Sequence, residues 1–359
     1  MTYAAHGHAQ QLAQLGADVW LVTGGKGEPR QYPSVSGDYQ VKTFDVAGSG
    51  LPWSRIRGDL AAVLEFTRTL APDLVIAEGW YTWGASILPR LRCYSRHCVI
   101  SSHGAADKTI GEIKLSRIFR SLIYRYFEKF RSGKILDVLS GAMVLSPRID
   151  NDRFADQQQF KQRGIPTFVS PNFSNYISAV SPRPLSPARR LLHIGEMCTN
   201  KNQRLAIRTL AVLPQNYCLE LAFPEENEYF RNLKLEAQRL GVSDRIEYTI
   251  GLNRTQLEAS FQCASLLLIL SHTEAQPIVA IDAICTGLPF VATPVGCIAE
   301  FEGGLIAEPK DIATAVQSIH ASSEIYQSFS RAAIAHYHKA CSALISEQSL
   351  GRLLSSLPA

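Results

Sequence analysis

The stretch "SLLLILSHTEAQPIVAIDAICTGLPFVATPVG", residues 265–296, decides the fold. It opens on a continuous apolar run at 265–270, which is typical of a strand buried on both faces of a sheet. Pro277 suits the first helical position, where its missing N–H costs nothing, and Gly287 suits the helix end. A second apolar run follows. The stretch therefore predicts a strand–helix–strand unit, whose free N–H groups near 275–279 attract an anion such as phosphate.

The same alternation of apolar runs and helix-like stretches extends over most of the chain. The predicted strands are 17–24, 73–78, 97–102, 141–146, 166–171, 190–195, 218–223, 245–250, 265–270 and 289–293. Strands that alternate with helices indicate parallel sheets covered by helices on both faces. We therefore predict an α/β protein with two Rossmann-like parallel-sheet domains, which usually bind a ligand in the cleft between them.

A proline- and serine-rich segment, "SAVSPRPLSPARR" at 178–190, separates the two halves. Such a composition favours an exposed, extended connector over a packed element. The predicted organisation is an N-terminal Rossmann-like domain, a linker, a C-terminal Rossmann-like domain, and a C-terminal helix that returns to the first domain. Their respective ranges are 1–177, 178–189, 190–340 and 341–359.

The N-terminal domain opens on a helix where a doubly wound domain should open on a strand. The amphipathic segment "AAHGHAQQLAQLG", residues 4–16, leads directly into the strand at 17–24. We therefore expect this domain to lack the usual first strand and its glycine-rich turn, which would expose sheet edges.

Composition excludes several classes of protein. The 359 residues are 46% hydrophobic and 19% charged, as in an ordinary globular protein. Residues 1–180 carry 21 Lys and Arg against 15 Asp and Glu, and the remaining residues carry 15 against 17. The excess of basic residues in the first 180 positions suits an anionic partner, but it is too small to predict nucleic-acid binding. Eight scattered cysteines without a C-x-x-C pair favour reduced thiols and a cytoplasmic location.

Two acids flank the start of the predicted helix. Glu274 lies just before it, where a carboxylate could accept hydrogen bonds from sugar hydroxyls. Asp282 lies about a turn deeper, where an acid could hold a pair of ribose hydroxyls. An exposed acid that caps the helix also explains Glu274, so the residues alone leave both interpretations open.

Several motifs together resemble family 4 glycosyltransferases of the GT-B architecture. The acids at 274 and 282 match the E-x7-E signature of that family, and "AIDAICTGLPFVATPVGCIAE" is similar to the segment that contains it. Further matches are "LLHIGEMCTNKNQRLAIRTLAVL", "VLSPRI" and "VSPNFSN". The resemblance covers about residues 10 to 310 and is strongest from 190 onward.

The resemblance implies a role for each matched position. Glu274 would contact the donor sugar and Asp282 the nucleotide ribose, while Lys201 would neutralise the diphosphate. His103, in "VISSHG", matches a histidine that faces the donor sugar. The backbone of the helix start and of the strand end in the second domain would complete the donor site, at Gly195, Ala275, Gln276, Pro277 and Ile278.

Three positions depart from the family pattern. Asp282 is one methylene shorter than the usual second Glu, and Glu196 replaces an arginine that follows the glycine. A carboxylate beside a diphosphate is repulsive. Ala275 replaces a glycine at a close backbone approach.

Two further motifs allow more than one interpretation. The D-x-D spacing in "IDND", residues 149–152, could bind a divalent metal, but such residues also cap helices. The basic amphipathic stretch 110–134 could contact anionic lipid as a peripheral membrane segment or pack its apolar stripe on the sheet.

The sequence thus predicts a glycosyltransferase that moves a hexose from a nucleotide diphosphate sugar to a saccharide or lipid-linked saccharide in polysaccharide biosynthesis. The resemblance implies retention at the anomeric carbon, no metal, and no cofactor besides the donor as co-substrate. A location in the cytoplasm, extending to the inner face of the membrane, fits such acceptors. A sugar-nucleotide epimerase and an inactive sugar-nucleotide-binding relative are the alternatives.

Overall fold

The computed structural model describes residues 2–25, 39–48, 55–104, 132–147, 154–174 and 176–358. The chain divides into two compact units. The first comprises Met1–Pro171 together with Leu344–Ala359, and the second comprises Asn172–Ala343. The predicted boundary at 177 and the predicted linker at 178–189 therefore fall inside the second unit.

Hydrogen bonds explain why the proline-rich segment belongs to the second unit. The N–H of Ala179 donates to the carbonyl of Cys285 at 2.9 Å. The Arg183 guanidinium donates to the carbonyls of Phe261 at 2.8 Å and Ala264 at 2.9 Å, at the end of a helix. Val180, in contrast, is fully exposed to solvent. The segment is irregular, but these bonds fix part of it on the second unit.

The first unit contains eight strands and five helices among its described residues. The strands are β1 (Trp20–Gly24), β2 (Gln40–Phe44), β3 (Val46–Ala47), β4 (Arg57–Gly58), β5 (Leu74–Glu78), β6 (His97–Ser102), β7 (Gly141–Val144) and β8 (Thr167–Val169). The helices are Thr2–Gln14, Leu60–Leu70, Trp83–Leu91, Ala155–Gln162 and the C-terminal Ala343–Ser356.

These strands form three separate sheets. β5, β6, β7 and β8 pair in that order as a parallel sheet, β1 pairs with β2 in parallel, and β3 pairs with β4 in antiparallel. The helix Thr2–Gln14 precedes β1, as the sequence predicts.

The C-terminal helix Ala343–Ser356 packs within the first unit. Its Leu350 and Leu353 are buried with Leu12, Val99 and Met143 in one apolar cluster. Burial of this kind stabilises by about 1.5 to 3 kcal/mol per side chain, so the cluster holds the helix against the sheet.

The second unit is one parallel sheet of six strands. Its order is β11 (Ile246–Ile250), β10 (Tyr217–Phe223), β9 (Arg189–Ile194), β12 (Leu266–Ile269), β13 (Phe290–Ala292) and β14 (Gly304–Ile306). The helices around it are Gln203–Val212, Glu228–Arg239, Arg254–Cys263, Ile278–Cys285, Ile312–Ile319 and Ser323–His336. All four residues of β12 are buried, as the continuous apolar run predicts.

All ten predicted strands are confirmed, with ends that shift by up to three residues. The sequence missed β2, β3, β4 and β14, which are short or polar. All eight cysteines are free thiols, and four of them are buried. No helix of the described residues is long and apolar enough to cross a membrane.

Candidate functional site

Two loops meet at the carboxyl edge of the six-stranded sheet. β9 and β12 are parallel neighbours, so the loops that follow them leave the sheet side by side. The carbonyl of Asn200, in the first loop, accepts from the N–H of His272 at 2.8 Å. The Asn200 side-chain amide donates to the carbonyl of Thr273 at 3.2 Å. These bonds join the loop that carries Lys201 to the loop that carries Glu274.

Lys201 and Glu274 form an ion pair across this junction. The Lys201 Nζ lies 2.5 Å from Glu274 Oε1, and the Ser271 hydroxyl donates to the same oxygen at 2.8 Å. The two side chains are 26% and 15% exposed, so both are partly withdrawn from water yet reachable by a ligand. The structure thus joins two residues that are 73 positions apart and that sequence analysis assigned to one site.

The backbone around Lys201 explains its placement. A Cβ on Gly195 would lie 3.1 Å from the Lys201 side-chain carbons, so the glycine leaves room for that chain to cross it. Asn202 adopts a left-handed conformation with φ of 55°, which Asn tolerates better than most residues.

His193 also holds this loop, and sequence analysis did not single it out. Its Nε2 lies 3.0 Å from the carbonyl of Lys201. Burial lowers the pKa of His193 to about 4, so the neutral ring donates this bond at physiological pH. A histidine within the apolar run "LLHIG" was the signal that could have found it.

Close backbone contact fixes Ala275. Its carbonyl accepts from the N–H of Cys297 at 2.9 Å. Gly296 has φ of +52°, and a Cβ there would come within 2.1 Å of the Ala275 oxygen and 2.6 Å of the Glu274 oxygen. Any side chain at Gly296 would therefore clash with the backbone of Glu274 and Ala275.

The helix Ile278–Cys285 begins one residue later than predicted. Pro277 is the N-cap, with extended backbone, and Ile278 is the first helical residue. Gly287 follows the C-cap with φ of +67°, as expected for a glycine helix end. Gln276 is buried, and its Oε1 accepts from the N–H of Asn172 at 2.7 Å. Its side chain therefore braces the loop internally.

Asp282 lies in a second polar contact on the same helix. The Ser174 hydroxyl donates to Asp282 Oδ1 at 2.6 Å. Burial raises the pKa of Asp282 to about 6, while the Ser174 bond and the Arg254 charge oppose that rise. Ser174 belongs to the quoted segment "VSPNFSN", so two of the matched motifs meet here.

Glu196 is exposed, and its carbonyl accepts from the Gln203 side chain at 2.7 Å. The acid that replaces the family arginine therefore lies in solvent, in the loop that also carries Lys201. The loop brings one cation, Lys201, and one additional acid to this edge of the sheet.

His103 lies in the first unit, where it follows β6. Its Nε2 is 3.0 Å from Glu78 Oε2, and His8 Nδ1 is 2.8 Å from the other Glu78 oxygen. Burial alone would raise the pKa of Glu78, but the charges and hydrogen bonds of the two histidines hold it well below its ordinary value. Sequence analysis missed Glu78 and His8. An acid directly after the apolar strand "DLVIA" was the available signal.

Two sequence motifs lie outside the described residues. They are "IDND" at 149–152 and the basic stretch 110–134 apart from its last three residues. In the described part of the chain, no group of three or more His, Cys, Asp or Glu side chains is placed to hold a metal ion.

Solved structures share this architecture. Sucrose-phosphate synthase from Thermosynechococcus elongatus superposes with a TM-score of 0.73 at 16% identity, over 97% of this chain and 91% of that chain. HepE from Anabaena, in complex with UDP and glucose, gives 0.65 at 17% identity, over 89% and 86% respectively. The fold is GT-B, with two Rossmann-like parallel-sheet domains.

Sequence comparisons identify the family. The model "Glycosyl transferases group 1" matches residues 182–336, and "Glycosyl transferase 4-like domain" matches residues 1–130. The chain belongs to glycosyltransferase family 4. The D-inositol 3-phosphate glycosyltransferase of Streptomyces griseus is 32% identical over 107 residues, which are 28% of this chain and 23% of that protein. Its counterpart in Mycolicibacterium gilvum is 27% identical over 162 residues, 42% and 36% respectively. The alignments thus span about a quarter to a third of these relatives.

Proposed function

We propose that this chain transfers a hexose, with retention, from a nucleotide diphosphate sugar to a saccharide or lipid-linked saccharide in polysaccharide biosynthesis. One observation carries the proposal. The Lys201 ammonium and the Glu274 carboxylate lie 2.5 Å apart, at the carboxyl edge of the sheet and directly before a helix N-terminus. A cation, an acid and free helix N–H groups are together suited to a diphosphate that carries a sugar.

Stabilisation of the leaving group is the main chemical task of this site. Negative charge grows on the departing diphosphate as the glycosidic bond to the sugar breaks. Lys201 and the first N–H groups of the helix Ile278–Cys285 would stabilise that charge, because fixed donors need no reorganisation during the reaction.

Glu274 would bind the sugar. A carboxylate has room for about four hydrogen bonds, and the Lys201 and Ser271 contacts both use Oε1. Its Oε2 can therefore accept from sugar hydroxyls. Lys201 would share its charge between Glu274 and the diphosphate when the donor binds.

Asp282 would accept from the ribose hydroxyls, with Ser174 holding one of its oxygens at 2.6 Å. Because the pKa of Asp282 is about 6, its carboxylate is mostly ionised at neutral pH. The contact of His103 with the donor sugar stays a prediction from the family resemblance.

A donor panel tests the proposal. UDP-, GDP- and ADP-sugars would be compared by the shift in melting temperature and then by nucleotide release with and without saccharide acceptors. UDP-glucose is the first probe. We expect one donor to stabilise the protein and to turn over with retention. An epimerase would instead convert the donor sugar without acceptor.

Matched variants localise the activity. We expect Lys201→Ala and Glu274→Ala each to lower turnover by roughly 100-fold or more, the usual cost of losing a group that stabilises transition-state charge. Lys310→Ala and Glu308→Ala change exposed residues of the same unit and serve as controls. Wild-type turnover in both site variants would refute this site.

An inactive sugar-nucleotide-binding relative is the second candidate, because Glu196 adds an acid to the loop of Lys201. Donor binding without turnover in the panel would favour it. Glu196→Arg is the sharper test, since an arginine there adds the missing cation. We expect it to tighten donor binding in either case, and to create turnover in an otherwise inactive chain.

Peripheral contact of 110–134 with anionic lipid is a further proposal that rests on seven Lys and Arg against two Glu in that stretch. It would place the chain at the cytoplasmic face of a membrane. Sedimentation with anionic and neutral liposomes at low salt tests it, and equal partition to both would refute it.

A further inference from the structure

A buried histidine lies in an otherwise apolar part of the interior strand β9. His193 is 3% exposed, and Leu191 and Leu192 before it are fully buried. β9 pairs with β10 on one side and with β12 on the other, so its backbone is covered along both edges. A polar ring in such a place costs free energy unless it makes hydrogen bonds. The bond that His193 makes therefore indicates why the ring is there.

The ring of His193 reaches the loop that follows its own strand. Side chains alternate along a strand, so His193 shares a face of the sheet with Leu191. Leu191 packs in one apolar cluster with residues of the helix Gln203–Val212, and the loop 195–202 leads into that helix. From this face, His193 Nε2 lies 3.0 Å from the carbonyl of Lys201. A residue of the strand thus binds the far end of the loop.

The chemistry of this contact decides which ring nitrogen carries the hydrogen. A carbonyl oxygen can only accept a hydrogen bond, so the nitrogen of His193 that faces it, Nε2, must be the donor. Burial lowers the pKa of His193 to about 4, and the nearby Lys201 charge acts in the same direction, against the hydrogen bond to the carbonyl. The ring is therefore neutral at physiological pH and adds no second positive charge beside Lys201.

The same contact fixes the backbone of Lys201. Its carbonyl belongs to the planar peptide that joins Lys201 to Asn202, so the orientation of that carbonyl is tied to φ of Asn202. Asn202 is left-handed, with φ of 55°, a conformation that is sterically unfavourable for a residue with a side chain. The Lys201 side chain runs past Gly195 on its way to Glu274. A rotation of this peptide would displace that side chain, and the His193 bond opposes the rotation.

The charge of the loop depends on this one ammonium. In the sequence 195–202, Lys201 is the one basic residue and Glu196 the one acidic residue. Lys201 Nζ lies 2.5 Å from Glu274 Oε1, in the site that we assign to a nucleotide diphosphate sugar. If the backbone of Lys201 moved, no other cation of this loop could take its place.

We propose that His193 is a positioning residue for the donor site: by donating from Nε2 to the carbonyl of Lys201, it holds the Lys201 ammonium where a diphosphate and Glu274 can share it. His193 acts through Lys201 and not on the substrate itself. This inference rests on the proposed function for the role of Lys201, whereas the hold of His193 on the loop can be measured without any donor.

A double-mutant cycle with Lys201 is the primary test. Turnover of UDP-glucose, or of whichever donor of the panel is active, would be measured for the wild type, His193→Leu, Lys201→Ala and the double variant. His193→Leu keeps an apolar side chain of similar bulk but removes the hydrogen-bond donor, and we expect it to lower kcat by roughly 100-fold. In the Lys201→Ala background the same change should cost no more than about twofold. Equal losses in both backgrounds would overturn the positioning role.

A conservative replacement and a matched histidine separate positioning from packing. His193→Gln can place an amide N–H near the position of Nε2, so it should restore most of the kcat that His193→Leu loses. His320 is the control, because it is also buried in the second unit, its pKa is likewise lowered to about 4 by burial, and its Nε2 lies 3.3 Å from the carbonyl of Ser265. Ser265 precedes β12, at the opposite edge of the sheet from Glu274.

The control should respond differently. We expect His320→Leu to lose stability but to keep the kcat of the wild type. A glutamine variant of His193 that is as impaired as the leucine variant, or a His320→Leu loss of the same size, would refute the specific role of His193.

Hydrogen exchange tests the hold on the loop directly. The amide of His272 donates to the carbonyl of Asn200, next to Lys201. We expect His193→Leu to raise the exchange rate of this amide by up to about tenfold, the equilibrium weight of one hydrogen bond, while the amides of β10 keep their protection. His320→Leu should leave the His272 amide unchanged. Unchanged exchange at His272 in His193→Leu would show that the ring does not hold the loop.

The two hypotheses fail separately. If no donor of the panel turns over in the wild type, the proposed function fails, while hydrogen exchange still decides whether His193 holds the loop. If turnover is present and the losses of His193→Leu and Lys201→Ala multiply, the positioning role fails alone.

Discussion

Two polar clusters of the described residues each place basic side chains against one glutamate, but the basic residues differ. In the second unit, Glu274 meets a lysine, and backbone hydrogen bonds between neighbouring loops set the distance. In the first unit, Glu78 contacts two histidines, and these side-chain hydrogen bonds join residues that come from separate segments of the chain. A lysine is charged over the whole physiological range, whereas a histidine changes charge within it. The two clusters therefore differ in the type of basic side chain that contacts the acid.

Asp282 extends the comparison to an acid that accepts a hydrogen bond from a serine. Burial raises its pKa to about 6, although a serine donates to it. Glu78 is also buried, yet its pKa moves the opposite way because the histidines outweigh desolvation. Burial and the direct partners of each carboxylate together therefore set the pKa of these two acids.

The largest expected effect comes from removing both partners of the lysine cluster. Lys201→Ala and Glu274→Ala should each cost roughly 100-fold or more in turnover, and the double variant should be little worse than the poorer single variant. Residues that act as one unit are not additive. Steady-state kinetics of the four proteins test this, and a fully multiplicative loss would show that the two residues act independently.

The backbone beside Glu274 can be strained without changing the side chains of Lys201 or Glu274. Gly296→Ala places a Cβ 2.1 Å from the Ala275 oxygen, and we expect it to lower the free energy of unfolding by roughly 3 kcal/mol.

The control is Gly251→Ala, also in the second unit. Gly251 has φ of +66°, and its nearest atom to a new Cβ is 3.7 Å away, so that variant should lose only about 1 kcal/mol. Urea denaturation measures both, and equal losses would mean that the crossing of Gly296 over Ala275 is not tight.

The contribution of Glu78 to the free energy of unfolding should depend on pH in the acidic range. A depressed Glu78 pKa stabilises the fold above the ordinary carboxyl pKa of about 4.3 and loses that contribution as pH falls further. We expect Glu78→Gln to lose about 2 kcal/mol at pH 7. Its deficit should shrink below about pH 4. Urea midpoints across this range measure the effect, and a deficit that stays constant in acid would argue against an ionised Glu78.

Asp282→Asn should give the smallest effect, with the opposite sign. A raised folded pKa means that stability is full below the ordinary value of 3.8 and falls as pH rises through about 6. Replacing the acid should therefore stabilise the chain by about 1 kcal/mol at pH 8, and by nothing near pH 3.5. The same denaturation series tests it, and a destabilised variant at pH 8 would contradict the raised pKa.

Much of the second unit could be predicted because its signals are local. A buried parallel strand needs a continuous apolar run, and a short helix needs a start and a glycine end, so "SLLLILSHTEAQPIVAIDAICTG" was enough for β12 and the helix Ile278–Cys285. The alternation of such units predicted α/β sheets. Short polar strands such as β2 lack that signal, because edge or exposed strands need no apolar run.

The sequence by itself determined the order of most strands and helices, the family, and the residue types of the candidate site. Tertiary structure alone decided which of those residues meet, because pairing depends on which strands are neighbours in the sheet. That is how Lys201 reaches Glu274 across 73 positions, and how Glu78 joins His8 and His103 from separate elements. It also decided the charge of each acid, since a pKa depends on burial and on partners that only the folded chain brings together.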